Sequence, residues 1–244
     1  MENNILDHKV SIVILCWNHL EDVTKPFLEQ IVKTIGVQYE LVFIDNGSTD
    51  GTYEYIKEYL HGSLHRIYRS ETNLGFARGN NMGLNITTGE YICFLNNDVV
   101  VKNPEWLRNM LNYAIEHQDT LIGTKSKKNV LLQTEMISPI DYLEGWCLMA
   151  KKSIFEENGC WHNAFEKPFF EDVELCYRLN KRGIKLKEID VGLTHLGSRS
   201  LYDQLEVYTV IRDSSKLFWG LVEKLKSGMP LNEYLFLKNS DILK

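Results

Sequence analysis

The sequence of 244 residues has no long apolar run, no excess of positive charge and no sign of a targeting segment. No uninterrupted apolar stretch reaches the ~18 residues that a membrane-spanning helix needs. The formal net charge of -6 argues against a protein that binds the phosphate backbone of nucleic acids. The first ten residues lack a basic segment followed by an apolar one, so we expect no signal peptide. These absences favour a cytoplasmic protein, with a location at the inner face of the membrane as the alternative.

Paired cysteine motifs are also missing. The five cysteines are Cys16, Cys93, Cys147, Cys160 and Cys176, an odd number in which no two form a CxxC pair. Their spacing gives no support to a zinc site, and three of them lie inside apolar runs. We therefore expect buried thiols in a reducing compartment. The GxGxxG and P-loop patterns are absent as well, which argues against a dehydrogenase or a P-loop NTPase.

What the sequence does contain is an alternation of strands and helices over its first hundred residues. The segments VSIVILCW, ELVFI, HRIYR and YICFL have strand character, and the first, second and fourth are apolar enough to be buried on both faces. Amphipathic segments separate them. This pattern predicts an α/β fold with a mostly parallel central sheet flanked by helices. Ligands bind beyond the carboxyl ends of the strands in such sheets, and the polar clusters of this sequence fall there.

The remaining sequence is less regular, but it contains no internal repeat, no low-complexity tract and no clear linker. We therefore expect residues 1–244 to form a single domain with a helical C-terminal tail from about residue 203. We predict helices at 20–35, 104–117, 151–158 and 171–183, strands at 143–150 and 184–191, and loops at 124–141 and 160–170.

The second strand leads into Asp45-Asn46-Gly47-Ser48-Thr49-Asp50-Gly51. Small and Asx residues favour a tight turn, and Ser48 or Asp50 can cap the helix that follows. The segment resembles an EF-hand loop only superficially, because Lys57 stands where the last carboxylate ligand belongs. Two interpretations stay open. One is a plain strand-to-helix turn, and the other is a carboxylate, Asp45, that accepts hydrogen bonds from a nucleobase or a ribose.

Two further clusters could contact phosphate groups. Glycines near Arg78 precede a predicted helix, whose N-terminal amides would attract an anion such as a diphosphate. Asp98 follows the fourth strand directly, and a carboxylate held at a sheet edge is a natural ligand for a divalent cation bound to substrate phosphates. The alternative for Asp98 is a cap of the helix near Pro104.

Glu171, Asp172 and His195 are the remaining candidates. Adjacent carboxylates at a predicted helix N-terminus either cap the helix, whose dipole stabilises their charge, or provide a general base. A lone histidine is more often structural than a ligand, but together with a carboxylate it can bind Mn²⁺ or Mg²⁺.

Seven segments, in order, resemble those of the family-two glycosyltransferases with the GT-A fold, and most of all the bacterial rhamnosyltransferase-like branch. They are VSIVILCWN, VFIDNGSTDGT, NLGFARGNNMG, YICFLNNDVVV, GWCLMAKKSIFEENG, FFEDVELCYRLNKRG and HLGSRS. The resemblance covers about residues 9–215. It implies a Rossmann-like half that binds a nucleotide sugar over about 9–100, an acceptor and catalytic half over about 101–202, and a helical segment over about 203–244.

The resemblance also implies a role for each matching residue. Asp45 would contact the nucleotide base, and Asp98, the last residue of the DxD motif, would bind the metal. Asp172 would be the general base, and His195 would complete a site for Mn²⁺ or Mg²⁺. The other implied positions are Asn73, Gly75, Arg78, Asn81, Asn97 and Gly145 at the donor, and Trp146 and Glu171 in the acceptor region.

One departure concerns the DxD motif, which here is Asn96-Asn97-Asp98, so that an amide replaces its first carboxylate. Fewer anionic ligands remain, but Asp98, His195, diphosphate oxygens and water still form a workable set. We expect an inverting, metal-dependent transfer of a hexose or deoxyhexose. The donor would be a UDP-, dTDP- or GDP-sugar, and the acceptor a glycan, a lipid-linked glycan or a protein.

Two other functions stay open. A sugar nucleotidyltransferase shares the architecture, but the first strand ends in Cys16-Trp17-Asn18 instead of a glycine-rich loop followed by Arg and Lys. A non-catalytic module that binds nucleotide sugars would also explain the altered DxD motif.

The C-terminal segment carries an apolar helical stripe of Leu217, Phe218, Leu221, Val222 and Leu225. We expect this stripe to pack on the core or on a second subunit in a homodimer. The alternative is peripheral contact with a membrane that carries a lipid-linked acceptor.

Overall fold

The computed structural model describes residues 5–61, 65–129, 140–197 and 204–242. A seven-stranded sheet forms its centre. Its strands are β1 (Lys9–Cys16), β2 (Gln38–Asp45), β3 (Arg66–Arg69), β4 (Tyr91–Leu95), β6 (Thr120–Gly123), β9 (Cys147–Lys151) and β10 (Lys185–Glu188). Two further sheets have two antiparallel strands each. They pair β5 (Val99–Val101) with β11 (Leu193–His195), and β7 (Ser126–Asn129) with β8 (Ile140–Leu143).

The central sheet has the strand order β10-β6-β9-β4-β1-β2-β3. β9 runs antiparallel to both of its neighbours, and the other pairs are parallel, as the sequence predicts. The chain proceeds outward from β1 through β2 to β3 and then returns to place β4 on the other side of β1. A crevice forms at the carboxyl ends of strands where the order reverses in this way, so the expected binding site lies between the ends of β1 and β4.

Helices cover both faces of this sheet. They are α1 (Lys25–Ile31), α2 (Thr52–Tyr59), α3 (Phe76–Asn85), α4 (Trp106–Glu116), α5 (Lys152–Asn158), α6 (Glu171–Lys181), α7 (Gln204–Lys226), α8 (Leu231–Leu235) and α9 (Asn239–Ile242). Alternate residues of β1 point to opposite faces. Val13 therefore enters a core shared with α3, α6 and α7, whereas Ile12 and Ile14 enter a second core shared with α1 and α4.

The C-terminal helices belong to the first of these cores. Leu217, Phe218, Leu221 and Val222 of α7 are buried in it, and Tyr234 of α8 is fully buried beside them. The apolar stripe therefore packs on the chain's own core, as expected. Within the part of the chain that the structure describes, no helix is long and apolar enough to cross a bilayer. All five cysteines are buried and free, which confirms that expectation too.

Several predicted boundaries were wrong. The helix predicted for 20–35 ends at Ile31, and the side chain of Ile35 is 54% exposed. The segment 124–141, predicted as a loop, contains β7 and the start of β8, while residues 130–139 lie outside the described ranges. The strand predicted for 143–150 is two strands, because β8 ends at Leu143 and β9 begins at Cys147. The turn between them, residues 144–146, belongs to the candidate site.

Candidate active site

The carboxyl end of β2 holds Asp45 in a buried position. Its Oδ2 atom accepts a hydrogen bond from the Ser48 amide at 3.4 Å and lies 3.4 Å from Nε of Arg69. Its Oδ1 atom is buried and accepts no hydrogen bond from the described residues. Burial raises the pKa of Asp45, although Ser48 and Arg69 act in the opposite direction. One oxygen of this carboxyl group is therefore available as an acceptor for a ligand.

Asn46 and Asn73 attach the start of α3 to this edge of the sheet. Nδ2 of Asn46 donates to Oδ1 of Asn73 at 2.8 Å, and the amide of Leu74 donates to Oδ1 of Asn46 at 2.8 Å. The amide of Gly75 also donates to Oδ1 of Asn73 at 2.8 Å. Gly75 has a φ of 79°, and a Cβ atom there would come within 2.8 Å of the Glu166 carbonyl oxygen. Only glycine fits this approach without a shift of the backbone.

Asp98 and His195 are brought together by the pairing of β5 with β11. In that pairing His195 lies opposite Val99, and the amide of Leu196 donates to the Asp98 carbonyl at 3.0 Å. Nε2 of His195 then lies 3.0 Å from Oδ1 of Asp98. Both atoms are buried, and neither makes a hydrogen bond within the described part of the chain. Buried polar atoms in folded proteins are rarely without a partner, so these two either pair with each other as an ion pair or bind a third group.

A divalent cation fits this pair. Carboxylate and imidazole are both ligands for Mn²⁺, and a metal ion would satisfy the two buried atoms at once. Among the residues that the structure describes, no third His, Cys, Asp or Glu joins them, so the remaining ligands would come from substrate and water. The capping alternative for Asp98 is wrong, because Oδ1 of Asn103 accepts from the Glu105 amide at the start of α4. The side chain of the neighbouring Asn97 donates a hydrogen bond from Nδ2 to Oγ1 of Thr24 at 3.3 Å.

The second pair of carboxylates lies at the N-terminus of α6. Oδ2 of Asp172 accepts a hydrogen bond from the Gly145 amide at 3.1 Å, and Oδ1 accepts from the Val173 amide at 2.8 Å. The two preceding residues, Phe169 and Phe170, have left-handed backbones with φ of 78° and 70°. Such conformations cost about 1–3 kcal/mol each for bulky residues and concentrate at functional sites.

Burial also determines the acidity of this pair. It raises the pKa of both Glu171 and Asp172, and the charge of Asp172 raises that of Glu171 further. The hydrogen bonds from Gly145 and Val173 counteract part of this effect at Asp172. Oε2 of Glu171 is buried and makes no hydrogen bond to the described residues. A carboxylate with a raised pKa is suited to accept a proton near neutral pH.

The turn at residues 144–146 connects the two pairs. Gly145 donates to Asp172, and the ring of the next residue, Trp146, stacks on the ring of His195 with centroids 5.2 Å apart and planes 9° from parallel. The indole of Trp146 donates to Oε2 of Glu144 at 3.0 Å. Glu144 was not among the site residues predicted from the sequence. The sequence signal that could have identified it is the charged residue followed by glycine inside an otherwise apolar segment.

Arg78 and Asn81 are placed differently from the residues above. Nη2 of Arg78 donates to Oε1 of Glu166 at 2.8 Å, and Nδ2 of Asn81 donates to the Trp161 carbonyl at 2.7 Å. Both side chains are thus held by the loop that follows α5, and none of their hydrogen bonds goes to Asp98 or Asp172. Their predicted contact with a donor stays a prediction.

The mostly parallel sheet, with polar groups gathered at its carboxyl edge, agrees with the GT-A type of fold that the sequence motifs predict. The family model described as glycosyl transferase family 2 matches residues 11–160. The chain therefore belongs to glycosyl transferase family 2.

Curated relatives are similar to this chain at modest identity. One is the low-salt glycan biosynthesis hexosyltransferase Agl10 of Haloferax volcanii, 26% identical over 219 residues, or 78% of this chain and 67% of the relative. Another is glycosyltransferase GlyA of Streptococcus pneumoniae, 25% identical over 120 residues, or 49% of this chain and only 17% of the relative. The second match thus spans a small part of a much longer protein.

Solved structures share the fold. The mannosyltransferase PcManGT from Pyrobaculum calidifontis, in complex with GDP-Man and Mn²⁺, superposes with a TM-score of 0.66 at 15% identity, covering 96% of this chain and 71% of that one. GalNAc-T7 with UDP, GalNAc and Mn²⁺ gives a TM-score of 0.66 at 14% identity, covering 100% of this chain and 56% of that one. These likenesses confirm the GT-A-like architecture.

Proposed function

We propose that this protein transfers a hexose or deoxyhexose from a nucleotide-diphosphate donor to an acceptor hydroxyl, with inversion at the anomeric carbon and with Mn²⁺ or Mg²⁺. The observation that carries the proposal is one chain of contacts. It runs from the Asp98–His195 pair through the stacked ring of Trp146 to Gly145, and from the Gly145 amide to Asp172. The turn at residues 144–146 would thereby connect the proposed metal–diphosphate site to the proposed general base.

The donor nucleotide would lie across the carboxyl ends of β1, β2 and β4. Oδ1 of Asp45 is the free acceptor for a base or a ribose, and Asn73 and Gly75 hold the start of α3 beside it. The structural neighbours that contain GDP-Man or UDP with Mn²⁺ support this class of donor. We assign the chain to the rhamnosyltransferase-like branch on its sequence motifs.

Asp98 and His195 would hold the divalent cation. When bound, the cation supplies positive charge that stabilises the departing diphosphate.

Asp172 acts as the general base in this proposal. It takes the proton from the acceptor hydroxyl as that oxygen forms a bond to the anomeric carbon from the face opposite the diphosphate. The bond from the anomeric carbon to the diphosphate oxygen breaks at the same time, and the leaving diphosphate keeps the electron pair. The amide of Gly145 orients one oxygen of Asp172. Burial raises the pKa of Asp172, and a raised pKa favours the uptake of a proton by this carboxylate. The reaction needs no covalent sugar–enzyme intermediate.

We further propose that the whole chain, residues 1–244, works as one catalytic domain in the cytoplasm, with a location at the inner face of the membrane as the alternative. The acceptor would be a glycan, a lipid-linked glycan or a protein. A homodimer contact would be made through the C-terminal helices.

The test is a thermal-shift panel of UDP, dTDP, GDP and CDP, each with and without Mn²⁺. A ligand present at about 100 times its Kd adds about 2.7 kcal/mol to the native state, which is readily measured as a rise in Tm. We expect one nucleotide to raise the Tm in a metal-dependent way. No shift with any of the four, for protein shown to be folded, would contradict the proposal. Donor binding without turnover on any acceptor would instead favour a non-catalytic module.

A further inference from the structure

A groove of about 770 Å³ lies outside the site described above. It runs between α3, the loop after α5 and the C-terminal helices α8 and α9. A second hollow of about 390 Å³ adjoins it, because Ala164, Glu166 and Asn239 line both, but Lys167 and Lys216 also line that hollow, and it is not part of the groove considered below. The groove itself, at about 770 Å³, lies within the ~300–1,000 Å³ that is typical of a ligand site.

The wall of this groove is rich in side-chain amides. Asn85, Asn163 and Asn239 line it, and an amide offers a donor and an acceptor on the same planar group. The side chain of Asn85 is exposed and makes no hydrogen bond to the residues that the structure describes. Oδ1 of Asn239 is buried without a hydrogen-bond partner among them. A buried acceptor of this kind is costly unless a ligand or water satisfies it.

Charge on the wall is largely neutralised. Nη2 of Arg78 pairs with Oε1 of Glu166 at 2.8 Å, so this guanidinium is not a free anion site. Lys238 adds one exposed cation at the rim. A groove that binds phosphate groups or an acidic peptide would need several unpaired cations, whereas this wall offers neutral donors and acceptors.

An exposed aromatic side chain also lies at the rim of the groove. The side chain of Phe236, directly after α8, is 84% exposed. A single exposed apolar residue is ordinary, but this one lies on the groove wall with the amides. A pyranose ring has one face of C–H groups that packs on an aromatic ring and an edge of hydroxyls that both donate and accept hydrogen bonds. The amides and Phe236 together match both features.

We propose that this groove binds a neutral oligosaccharide, the sugar chain of the acceptor, at a distance from the reacting hydroxyl. The inference rests on the proposed function for the role of that ligand as acceptor. The position agrees with it, because only Trp161 and its loop separate the groove from the base. A Cβ atom on Gly145 would lie 3.3 Å from the ring of Trp161, and the Trp161 amide donates to Oδ1 of Asn81 on the groove side at 3.1 Å.

The experiment titrates the full chain with neutral tetra- to hexasaccharides of glucose, mannose, galactose, rhamnose and N-acetylglucosamine, and with the matching monosaccharides. Binding is followed by saturation-transfer NMR and by calorimetry. The variants are Phe236→Ala and Asn85→Ala, and Tyr208→Ala is the matched control because it removes another exposed aromatic side chain, one that does not line the groove. Nucleotide binding with Mn²⁺ is measured in parallel on each protein.

We expect at least one oligosaccharide to bind at millimolar concentration or below and more tightly than its monosaccharide. Phe236→Ala should weaken that binding about tenfold and Asn85→Ala about threefold, since each removes one contact of ordinary strength. Tyr208→Ala should leave it unchanged, and all variants should bind the nucleotide normally. Because Asn85 is exposed, we expect Asn85→Ala to fold normally. It therefore tests the groove even if Phe236→Ala lowers the Tm.

Two results would overturn the inference. One is that no oligosaccharide of the panel binds, or that binding is the same in the wild type and both groove variants. The other is that vesicles of phosphatidylglycerol, and no oligosaccharide, bind in a manner that Phe236→Ala abolishes, which would assign the groove to a membrane surface. If the protein binds an oligosaccharide but no nucleotide, the proposed function is refuted and the inference about the groove stands. Failure of the proposed function can therefore be distinguished from failure of the groove inference.

Discussion

Arg178 and Glu174 lie one helical turn apart on α6 and form an ion pair inside the core. Nε of Arg178 lies 2.6 Å from Oε1 of Glu174, and Nη2 lies 3.0 Å from Oε2. The remaining guanidinium donors go to the carbonyl oxygens of Asn158, Gly159 and Cys160. The hydroxyl of Tyr234 donates to Oε1 of Glu174 at 2.7 Å. This buried network joins the helix that carries Asp172 to the end of α5 and to α8, so the C-terminal segment supports the candidate base.

The first prediction concerns this network. Arg178→Met should lower the free energy of unfolding by about 3–5 kcal/mol, because it leaves the charge of Glu174 buried without its partner. Urea denaturation measures the change. Arg212→Ala is the control, since Arg212 is exposed and, among the described residues, forms an ion pair with its neighbour Asp213 alone. It should cost less than about 0.5 kcal/mol. Equal effects of the two substitutions would show that the buried pair contributes no special stability.

The second prediction concerns the metal site. Asp98→Asn and His195→Ala each remove one of the two proposed protein ligands. The Mn²⁺-dependent part of nucleotide binding should therefore weaken by more than the ~10–100-fold that is typical when a residue behind a metal ligand is changed. Calorimetry with nucleotide and Mn²⁺ measures it. Asp119→Asn, at an exposed aspartate remote from β5, is the matched control and should bind as the wild type does. Unchanged metal dependence in Asp98→Asn would remove this aspartate from the site.

The third prediction concerns the base. Asp172→Asn should lower kcat by about 10²–10⁴-fold while nucleotide binding stays normal, because only the proton acceptor is lost. In the wild type, kcat/KM should fall as the pH falls through the raised pKa of Asp172, above the ~3.9 of an ordinary aspartate, since the base must be ionised. Steady-state kinetics across pH tests both points. Normal turnover by Asp172→Asn would show that another group takes the proton.

The fourth prediction concerns stability and pH at Glu171. Burial raises the pKa of this carboxyl group in the folded state, so folding takes up a proton at pH values between the ordinary and the raised pKa. The stabilising effect is complete below the ordinary pKa of glutamate and is lost as the pH rises toward the raised value. Glu171→Gln should therefore make stability less dependent on pH across this window. Urea unfolding at several pH values measures it, and a steeper dependence in the variant would contradict the assignment.

The fifth prediction concerns Gly145. A Cβ atom there would lie 3.2 Å from Cβ of Asp172 and 3.3 Å from the ring of Trp161, so Gly145→Ala must displace the base or the indole by a few tenths of an ångström. Such a misplacement should lower kcat by as much as about 10²-fold. The control is the same substitution in an Asp172→Asn background, where it should have no further effect on kcat. Additive losses would mean that Gly145 acts independently of the base.

The local signals of this sequence were sufficient for the parallel sheet. β1, β2 and β4 are continuous apolar runs, so their burial and their carboxyl ends could be identified, and with them the positions of Asp45 and Asp98. The start of α6 at Glu171 was also predicted, because acidic residues at a helix N-terminus and Gly183 after its end are local signals.

Other parts of the site depend on contacts between segments distant in sequence. β5 and β11 have three residues each, too few for a periodic pattern, yet their pairing places His195 beside Asp98. The turn at Gly145 could not be predicted, because it lies inside an apolar segment. Arg178 is fully buried, although an arginine is ordinarily expected at the surface. The sequence by itself determined which strands form the sheet and which carboxylates follow them, because burial and capping depend on neighbouring residues. Only the tertiary structure decided which of those groups meet, because that depends on how distant segments pack.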